Sequence, residues 1–425
     1  MKLHIEKPVY GGACLARDEG KAIFVPFTLP GESVEARVVR DHGTYAEGEL
    51  QTVLEPSASR TSPPCPYFGE CGGCHYQHAS YQAQVEMKTQ ILRETLERAR
   101  IVEISEIETL CGEPLGYRNR IRLQIDPATS KLCYKKRASN ENLAVDICPI
   151  AAPVLREALK AIQAAAHEWK LGQRFSEIEL FTNGAQDEML ISMWSTAREE
   201  AVVDALRSLW AEMKKAIPQA KGAAAFTSER RRQEVKGVAQ AGEPFLTYVA
   251  AGRDYRASTG SFFQVNRFLL EPLVKLVAGG QKGRLAWDLY AGVGLFSAAL
   301  AESFDRMVAV ESAPSAVRDL RRNIQGKAHR VIGASTMEFL RKASGGAAPE
   351  FIVVDPPRAG LGKEVAGLLA GSGAAHITYV SCDPATLSRD LKWLLDSGYH
   401  LKAMRMVDLF PQTFHLESVA ELSLK

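Results

Sequence analysis

The chain has 425 residues, enough for two or three domains that each bury their own core. Hydrophobic residues make up 46% and charged residues 24%, which excludes long disordered spans. The 52 basic residues nearly balance the 50 acidic ones, so the net charge gives no argument for nucleic acid and any basic surface must be local. The chain starts on a strand pattern without a signal sequence and has no apolar run of membrane-spanning length, so we expect a cytoplasmic protein that binds no membrane.

Short runs of alternating polar and apolar residues fill positions 1–56. Glycines and the Pro30-Gly31 pair punctuate these runs, which predicts a small OB-like barrel of short antiparallel strands. Barrels of this kind commonly bind oligonucleotides. The alternative is a purely structural barrel that binds nothing.

Three of the eight cysteines lie close together in the linker segment 57–80. Five residues separate Cys65 from Cys71 and two separate Cys71 from Cys74, while Cys148 follows much later in the chain. The cysteines are too sparse for a disulfide scaffold, so we interpret these four as metal ligands. Four thiolates suit zinc or an iron–sulfur cluster, and softness alone does not choose between them. The remaining isolated thiols, Cys14, Cys111 and Cys133, are expected to be packing residues.

Residues 81–255 are predicted to form a central α+β domain. Arg118, Arg120 and Arg122 alternate with apolar residues, so we expect them on one face of a strand. Such a row suits phosphate contact, and Lys135-Lys136-Arg137 extends it; the alternative is a solvated face. Helices are predicted over Tyr81–Arg100, Ala152–Trp169 and Arg198–Lys215, strands over Ile178–Phe181 and Met189–Trp194, and a loop or hairpin turn around Arg230-Arg231-Arg232.

A strand, a glycine turn and a helix follow one another around Asp288–Gly294, the layout of a nucleotide site in a doubly wound sheet. Met307–Glu311 forms a second strand that ends on a carboxylate, which is able to accept both hydroxyls of a ribose. The turn lacks the third glycine of the dinucleotide fingerprint, so a Rossmann dehydrogenase is the weaker alternative. Residues 256–425 are therefore predicted to form a Rossmann-like domain.

Three later stretches place polar side chains where strands begin or end. Cys382 lies in Tyr379–Asp390, at the carboxyl end of an apolar strand that Pro384 cannot continue. The alternative for such a thiol is a buried structural cysteine. Asp355 closes another apolar strand before two prolines, and Glu417 lies among apolar residues where the last strand begins. The alternative for Glu417 is a salt-bridge partner.

Val353–Arg358, Tyr379–Asp390 and Phe410–Val419 resemble the methyltransferase domain of the RNA uracil-5-methyltransferases, which make 5-methyluridine. The stretch Gly20–Glu32 resembles the TRAM domain, an RNA-binding module. The resemblance implies a class I methyltransferase domain at 256–425 that uses S-adenosylmethionine. The pocket residues that it implies are Gln264, Tyr290, Glu311 and Asp355, and the cysteine spacing resembles the 4Fe–4S site of members acting on large-subunit rRNA, which favours iron–sulfur over zinc for Cys65, Cys71, Cys74 and Cys148.

The same resemblance leads to chemical roles for Cys382 and Glu417. Carbon 5 of uracil is too poor a nucleophile to take a methyl group from a sulfonium, so the Cys382 thiolate would first add to carbon 6. Glu417 would then remove the proton from carbon 5, as a base whose pKa desolvation raises. The target uridine must lie outside a base stack. We expect the substrate to be RNA, with 23S rRNA favoured.

Alternatives to this function stay open. One is a transfer-RNA uracil-5-methyltransferase, and another is a non-catalytic RNA-binding protein on a methyltransferase fold. Two departures argue against other methyltransferases. The proline-cysteine signature of DNA cytosine methyltransferases is replaced by Ser381-Cys382-Asp383-Pro384. Arg358 stands where amino-methyltransferases usually carry an aromatic residue. Arg358 and Arg389 receive no chemical step. We expect a monomer, because RNA supplies the partner surface.

Overall fold

The computed structural model describes residues 1–102, 106–228 and 235–424, and every element below lies in these ranges. The chain begins with β1 (Lys2–Val9), β2 (Ala13–Asp18), β3 (Lys21–Pro26), β4 (Ser33–Asp41) and β5 (Tyr45–Glu55). These strands form a closed barrel in the order β1-β2-β3-β5-β4. Alternation along the strands turns Leu3, Ile5 and Val25 into the interior, where they are buried. The predicted barrel is confirmed.

A linker of turns, residues 56–80, leads to helix α1 (Tyr81–Arg98). Ser80 caps this helix, because its side-chain oxygen accepts a hydrogen bond from the backbone N–H of Ala83. The apolar face of α1 packs into the core of the C-terminal domain. Strand β6 (Glu108–Leu110) also joins the C-terminal sheet. The chain therefore contributes to the C-terminal core well before residue 256, and the domain boundaries expected from the sequence stay a prediction.

A second sheet with helices packed on it forms the middle of the chain. Its elements are β7 (Arg120–Ile125), β8 (Leu132–Lys135), β9 (Asn142–Ala144), α2 (Pro153–Ala165), α3 (Leu171–Arg174), β10 (Glu177–Thr182), β11 (Met189–Ser195), α4 (Glu199–Ala216), β12 (Ala220–Ser228) and β13 (Val235–Gly242). The strand order is β13-β12-β11-β10-β7-β8-β9. Leu155 and Leu159 of α2 and Leu206 and Leu209 of α4 are buried in its core, because their helical spacing places them on one face.

The arginines of the central sheet do not form the free row that phosphate contact requires. Arg120 and Arg122 lie over aromatic rings, 4.0 and 3.9 Å from guanidinium carbon to ring centroid, and each lies beside a glutamate. Arg118 instead lines the cavity that contains the cysteines. These contacts favour an ion-paired face. The segment Arg230-Arg231-Arg232 lies outside the described residues.

The C-terminal domain is a mixed sheet between two layers of helices. Its elements are the hairpin β14 (Phe245–Ala250) and β15 (Arg253–Ser258), then α5 (Leu270–Ala278), β16 (Gly283–Leu289), α6 (Leu295–Ser303), β17 (Phe304–Glu311), α7 (Pro314–Asn323), β18 (Arg330–Gly333), α8 (Thr336–Ala343), β19 (Phe351–Val354), α9 (Gly362–Ala370), β20 (His376–Ser381), α10 (Pro384–Asp396), β21 (Tyr399–Val407) and β22 (Glu417–Leu424). The sheet order is β18-β17-β16-β19-β20-β22-β21-β6.

Both faces of this sheet are covered, as its apolar strands predict. Val353 packs toward one layer with α5, α6 and α7, while Ile352 and Val354 pack toward the other with α1, α8, α9 and α10. The predicted Rossmann-like domain is confirmed. Within the described residues, no helix is long and apolar enough to cross a membrane.

A buried ion pair fastens α1 to the segment before β22. The Lys88 ammonium lies 2.6 Å from Asp408 Oδ1 and donates a second hydrogen bond, 3.0 Å long, to the Phe410 carbonyl oxygen. Both charged side chains are fully buried. Burial lowers the pKa of Lys88 and the Asp408 charge opposes this shift. Removing either side chain would leave the other charge buried without a partner, which strongly destabilises the fold.

We expect Lys88→Met to lower the free energy of unfolding by about 3–5 kcal/mol, because it leaves the Asp408 carboxylate buried without a cation. Urea unfolding measures this change. Lys275→Met is the matched control, since Lys275 pairs with Glu271 on an exposed helix face and its loss should cost about 0.5 kcal/mol or less. The double variant Lys88→Met/Asp408→Leu should regain most of the loss. Equal effects of Lys88→Met and Lys275→Met would contradict this account.

Candidate active site at the carboxyl edge of the C-terminal sheet

The fold brings five of the six predicted catalytic and cofactor residues to one edge of the sheet. Tyr290 follows β16, Glu311 ends β17, Asp355 follows β19 and Cys382 follows β20. These strands are parallel, so their carboxyl ends meet at the same edge. Strand β22 is antiparallel to β20, and Glu417 at its beginning lies at that edge as well.

The register between β20 and β22 places the thiol and the acid opposite each other. Ser381 pairs with Ser418, and the Ser418 hydroxyl donates a 3.2 Å hydrogen bond to the Ser381 carbonyl oxygen. Cys382 follows Ser381 and Glu417 precedes Ser418, so both residues lie next to this pair at the same end of the two strands. Neighbouring strands are separated by about 4.8 Å, so the two residues are cross-strand neighbours.

Cys382 lies at an elbow between β20 and α10, as the sequence predicts. The Asp383 carboxylate caps α10 by accepting hydrogen bonds of 3.0 and 2.9 Å from the backbone N–H groups of Ala385 and Thr386. Pro384 occupies the first turn of the helix. Cys382 is partly exposed, which favours an accessible thiol over a buried structural one.

Two arginines flank this elbow and have different surroundings. Arg358 donates a hydrogen bond of 3.2 Å to Nδ1 of His415, and its charge acts on both Cys382 and Glu417. Burial and the Arg358 charge lower the pKa of His415 to about 3, so the imidazole is neutral and able to accept. Arg389 instead donates to the buried carboxylate of Asp390. Arg389 thus forms an ion pair with that carboxylate.

Burial shifts the pKa values of Cys382 and Glu417. It raises the pKa of Cys382 to about 11, and the carboxylates of Glu417 and Asp355 add to this shift while Arg358 opposes it. Burial, followed by the Asp355 charge, raises the pKa of Glu417 well above its usual range. The raised pKa disfavours the Cys382 thiolate in the RNA-free protein, because the thiolate would be poorly solvated and would lie among carboxyl groups.

A glycine turn forms the candidate cofactor pocket between β16 and α6. Tyr290 and Gly292 have φ angles of 65° and 55°, in the left-handed region. No atom lies within 4 Å of where a Cβ on Gly292 would be, so the turn leaves open space beside its backbone. Glu311 accepts hydrogen bonds of 2.9 Å from Gly292 N–H and 2.7 Å from Ala313 N–H. Its carboxylate is thus held at the rim of this space.

Asp355 lies beside another acid below the same edge. Burial and the Asp288 charge raise the pKa of Asp355 to about 7. Burial also raises the pKa of Asp288 to about 7, although the Ser297 hydroxyl donates a hydrogen bond to it. A nearby negative charge disfavours ionisation of a carboxyl group, so Asp288 adds to the effect of burial on Asp355.

The sixth predicted residue, Gln264, is held between the central and C-terminal domains. Its backbone carbonyl oxygen accepts a 2.9 Å hydrogen bond from the Asn119 side chain. The side chain of the nearby Asn266 donates a 3.1 Å hydrogen bond to the Leu409 carbonyl oxygen. Gln264 is buried. The segment is thus fixed to the loop that leads into β22.

The four predicted cysteine ligands line a single cavity of about 210 Å³. Cys65, Cys71 and Cys74 come from the linker and Cys148 from the central domain. The Gly72 N–H donates a 3.0 Å hydrogen bond to the Lys135 carbonyl oxygen, which connects the cysteine loop to the central sheet. Within the described residues, no group of three or more His, Cys, Asp or Glu side chains is arranged to hold a metal ion. The four thiols therefore surround a space and do not meet at one point.

The other thiols differ in their surroundings. Cys14 and Cys133 are buried, which confirms that they are packing residues. Cys111 is exposed, so the same expectation is wrong for Cys111. The strand β6 that precedes it lies at the edge of the sheet.

Comparisons with known proteins show which family this chain belongs to. The family model described as tRNA (Uracil-5-)-methyltransferase matches residues 80–343 and 346–425, and the TRAM domain model matches residues 1–51. The chain belongs to the RNA uracil-5-methyltransferase family. It is accordingly an S-adenosylmethionine-dependent enzyme, as predicted.

Relatives of this uracil-5-methyltransferase match along its whole length. An RNA methyltransferase from Aquifex aeolicus is 32% identical, with 100% of this chain and 99% of that protein covered. A 23S rRNA (uracil(1939)-C(5))-methyltransferase from Chromohalobacter salexigens is 31% identical, with 99% and 89% covered. The crystal structure of Pyrococcus abyssi tRNA (uracil-54, C5)-methyltransferase in complex with S-adenosyl-L-homocysteine superposes with a TM-score of 0.79 at 24% identity, over 99% and 100% of the chains. This likeness confirms the fold.

Two residues of the methyltransferase site were missed by sequence reasoning. His415 is in the same motif stretch as Glu417, and its position two residues before Glu417 was the signal that could have found it. Tyr10 lies in the barrel, and its hydroxyl donates 3.4 Å to the carbonyl oxygen of Cys382. No sequence pattern connects two residues that are 372 positions apart.

We expect alkylation of Cys382 by iodoacetamide to speed up about tenfold per pH unit between about pH 7 and 10, because only the thiolate reacts and its pKa is about 11. Mass spectrometry of the Cys382 peptide in RNA-free protein measures the rate. The urea-unfolded chain is the control, in which the same thiol has its ordinary pKa of about 8.5 and reaches its plateau about two pH units lower. A plateau at or below about pH 9 in the folded protein would contradict the raised pKa.

Proposed function

We propose that this enzyme methylates carbon 5 of a uridine in RNA through a covalent bond between Cys382 and the uracil ring. The observation that carries the proposal is the β20–β22 register, which pairs Ser381 with Ser418 and so brings the adjoining Cys382 and Glu417 together at the carboxyl edge of the sheet. A nucleophile and a base must both reach one ring from positions a few ångströms apart. This pair of residues meets that requirement.

In the proposed reaction, the Cys382 thiol gives its proton to water, and the thiolate sulfur forms a bond to carbon 6. The electron pair of the carbon 5–carbon 6 double bond moves toward the ring carbonyl, which makes carbon 5 nucleophilic. Carbon 5 would take the methyl group that S-adenosylmethionine supplies when bound, and S-adenosylhomocysteine would be left as the product. Glu417 then accepts the carbon 5 proton, the double bond re-forms, and the bond from sulfur to carbon 6 breaks.

The raised pKa values suit this order of events. A buried carboxylate whose pKa is raised is a stronger base than an exposed one, so Glu417 is suited to take a proton from carbon. Arg358 is the positive charge beside Cys382 and Glu417, and it favours the thiolate when the site is closed by RNA. Neutral His415 accepts a hydrogen bond from Arg358 and orients it.

We propose that S-adenosylmethionine is held by Gln264, Tyr290, Glu311 and Asp355. The residues fit such a ligand, because Gly292 leaves open space beside the turn and the Glu311 carboxylate stands at its rim. Glu311 would accept the ribose hydroxyls. The Pyrococcus abyssi structure contains S-adenosyl-L-homocysteine and has the same fold, which supports a pocket of this class.

We propose 23S rRNA as the substrate and transfer RNA as the alternative. The Chromohalobacter relative, 31% identical, acts on 23S rRNA and matches nearly the whole chain, whereas the Pyrococcus enzyme named for transfer RNA is 24% identical. The N-terminal barrel, a TRAM domain, supplies an RNA-binding surface. We also propose that the enzyme acts as a cytoplasmic monomer, with RNA as its partner.

We expect Glu417→Gln to accumulate a covalent protein–RNA adduct, because elimination of sulfur needs the base that removes the carbon 5 proton. Denaturing gel electrophoresis with radiolabelled RNA detects it, with 23S rRNA and transfer-RNA transcripts offered in parallel. Cys382→Ala is the matched control and should form no adduct and no 5-methyluridine, while S-adenosylmethionine still binds by calorimetry.

Normal turnover by Glu417→Gln removes Glu417 from this role, and methylation by Cys382→Ala overturns the covalent mechanism. An adduct on transfer RNA alone would replace the proposed substrate by the alternative.

We propose that Cys65, Cys71, Cys74 and Cys148 hold a 4Fe–4S cluster with a structural role. A single zinc ion with Zn–S bonds of about 2.3 Å would draw four sulfurs to about 3.8 Å from one another, whereas these thiols surround a cavity of about 210 Å³. A polynuclear cluster fits such a space better than one ion. The cluster would fasten the linker to the central sheet.

We expect anaerobically purified protein to be brown and to contain about four iron and four sulfide per chain. Metal and sulfide analysis measures this, and zinc at one equivalent without sulfide would contradict the proposal. Cys74→Ser should lose the colour and lower the thermal midpoint, since the linker is released. Cys111→Ser is the control and should keep both, because Cys111 is exposed and lies outside the cysteine cavity.

A further inference from the structure

The barrel reaches into the catalytic site through one side chain. Tyr10 lies in the turn between β1 and β2, and its hydroxyl donates a hydrogen bond of 3.4 Å to the carbonyl oxygen of Cys382. We propose that Tyr10 is a positioning residue that holds the nucleophile elbow in place, so that the RNA-binding barrel also completes the active site. This inference rests on the proposed role of Cys382.

The contact has a rigid support on the barrel side. The turn after Tyr10 contains Gly11 and Gly12, whose φ angles of 108° and 91° favour glycine. A Cβ on Gly12 would come within 2.9 Å of a ring carbon of His75. The turn therefore packs closely against His75 of the linker, which restrains its position beside the Cys382 elbow.

Aromatic contacts connect Tyr10 to the loop before β22. The Tyr10 ring stands edge-on to Phe414, with 5.4 Å between centroids and an interplanar angle of 89°. Phe414 also packs on His75 at 4.7 Å and on His415 at 4.2 Å. Edge-to-face pairs of this kind stabilise a defined orientation. Tyr10 thus touches both the nucleophile elbow and the loop that carries His415.

The Tyr10 hydroxyl acts as a donor and not as a base. Burial raises its pKa, and the charges of Asp383, Cys382 and Glu417 add to this, with Arg358 opposing them. A neutral phenol donates one hydrogen bond. Donation to the Cys382 carbonyl oxygen restrains the peptide plane after the nucleophile, and with it the direction in which the sulfur points toward the ring.

Full-length Tyr10→Phe and Tyr10→Ala test the inference, with Tyr45→Ala as the matched control. Tyr45 is a more exposed barrel tyrosine that stacks on His42. The measurements are kcat and KM with saturating S-adenosylmethionine and an RNA substrate, the rate of adduct formation with 5-fluorouridine RNA, and the thermal midpoint.

Loss of one hydrogen bond should lower kcat about 2–10-fold in Tyr10→Phe. Loss of the ring as well should lower it about 10–100-fold in Tyr10→Ala. We expect adduct formation to slow in parallel, KM for RNA to stay within about twofold and the Tyr10→Phe midpoint to stay unchanged, because the defect is in orientation and not in binding. Any effect of Tyr45→Ala should fall on KM for RNA and not on kcat at saturating RNA, because Tyr45 belongs to the RNA-binding barrel and has no hydrogen bond to the Cys382 elbow among those of the described residues.

Wild-type kcat in both Tyr10 variants overturns the inference. So does a raised KM at unchanged kcat, which would make Tyr10 an RNA-contacting residue only, or an equal fall of kcat in Tyr45→Ala. Methylation by Cys382→Ala would sink the covalent mechanism itself, and this outcome is separate from any result at Tyr10.

Discussion

The antiparallel pairing of β22 with β20 is the constraint on which the active site depends. It places the beginning of the last strand beside the carboxyl end of the strand before the elbow, and so makes Glu417 the neighbour of Cys382. A shift of this register by one residue would turn Glu417 to the other face of the sheet. The backbone pairing of two strands therefore sets the distance between acid and thiol.

The loop that precedes β22 is held from outside the C-terminal domain, which keeps that register in place. The Gln412 carbonyl oxygen accepts hydrogen bonds of 2.8 and 3.0 Å from the backbone N–H groups of His75 and Tyr76. The Tyr117 hydroxyl donates 3.0 Å to the Pro411 carbonyl oxygen. Gln412 has a φ of 69°, a conformation that costs energy unless its surroundings hold it. The linker and the central domain thus support the catalytic edge directly.

Burial at this edge also disfavours the charged forms of its thiol and carboxyl groups. Cys382 and Glu417 both have raised pKa values because each has lost solvent and lies among carboxyl groups. Arg358 is the opposing charge, and the hydrogen bond to His415 directs it. A thiol that is protonated in the free enzyme is protected from oxidation and alkylation.

Sequence by itself determined the strand ends that carry Tyr290, Glu311, Asp355 and Cys382, because apolar strands and the glycines and prolines that stop them are local signals. It also predicted the N-terminal barrel and the four cysteines that line one cavity. Only the tertiary structure decided that the arginines of the central sheet are ion-paired, that α1 belongs to the C-terminal core and that Tyr10 touches Cys382. These contacts join residues far apart in the chain, and their geometry follows from the packing of whole domains, which no local pattern encodes.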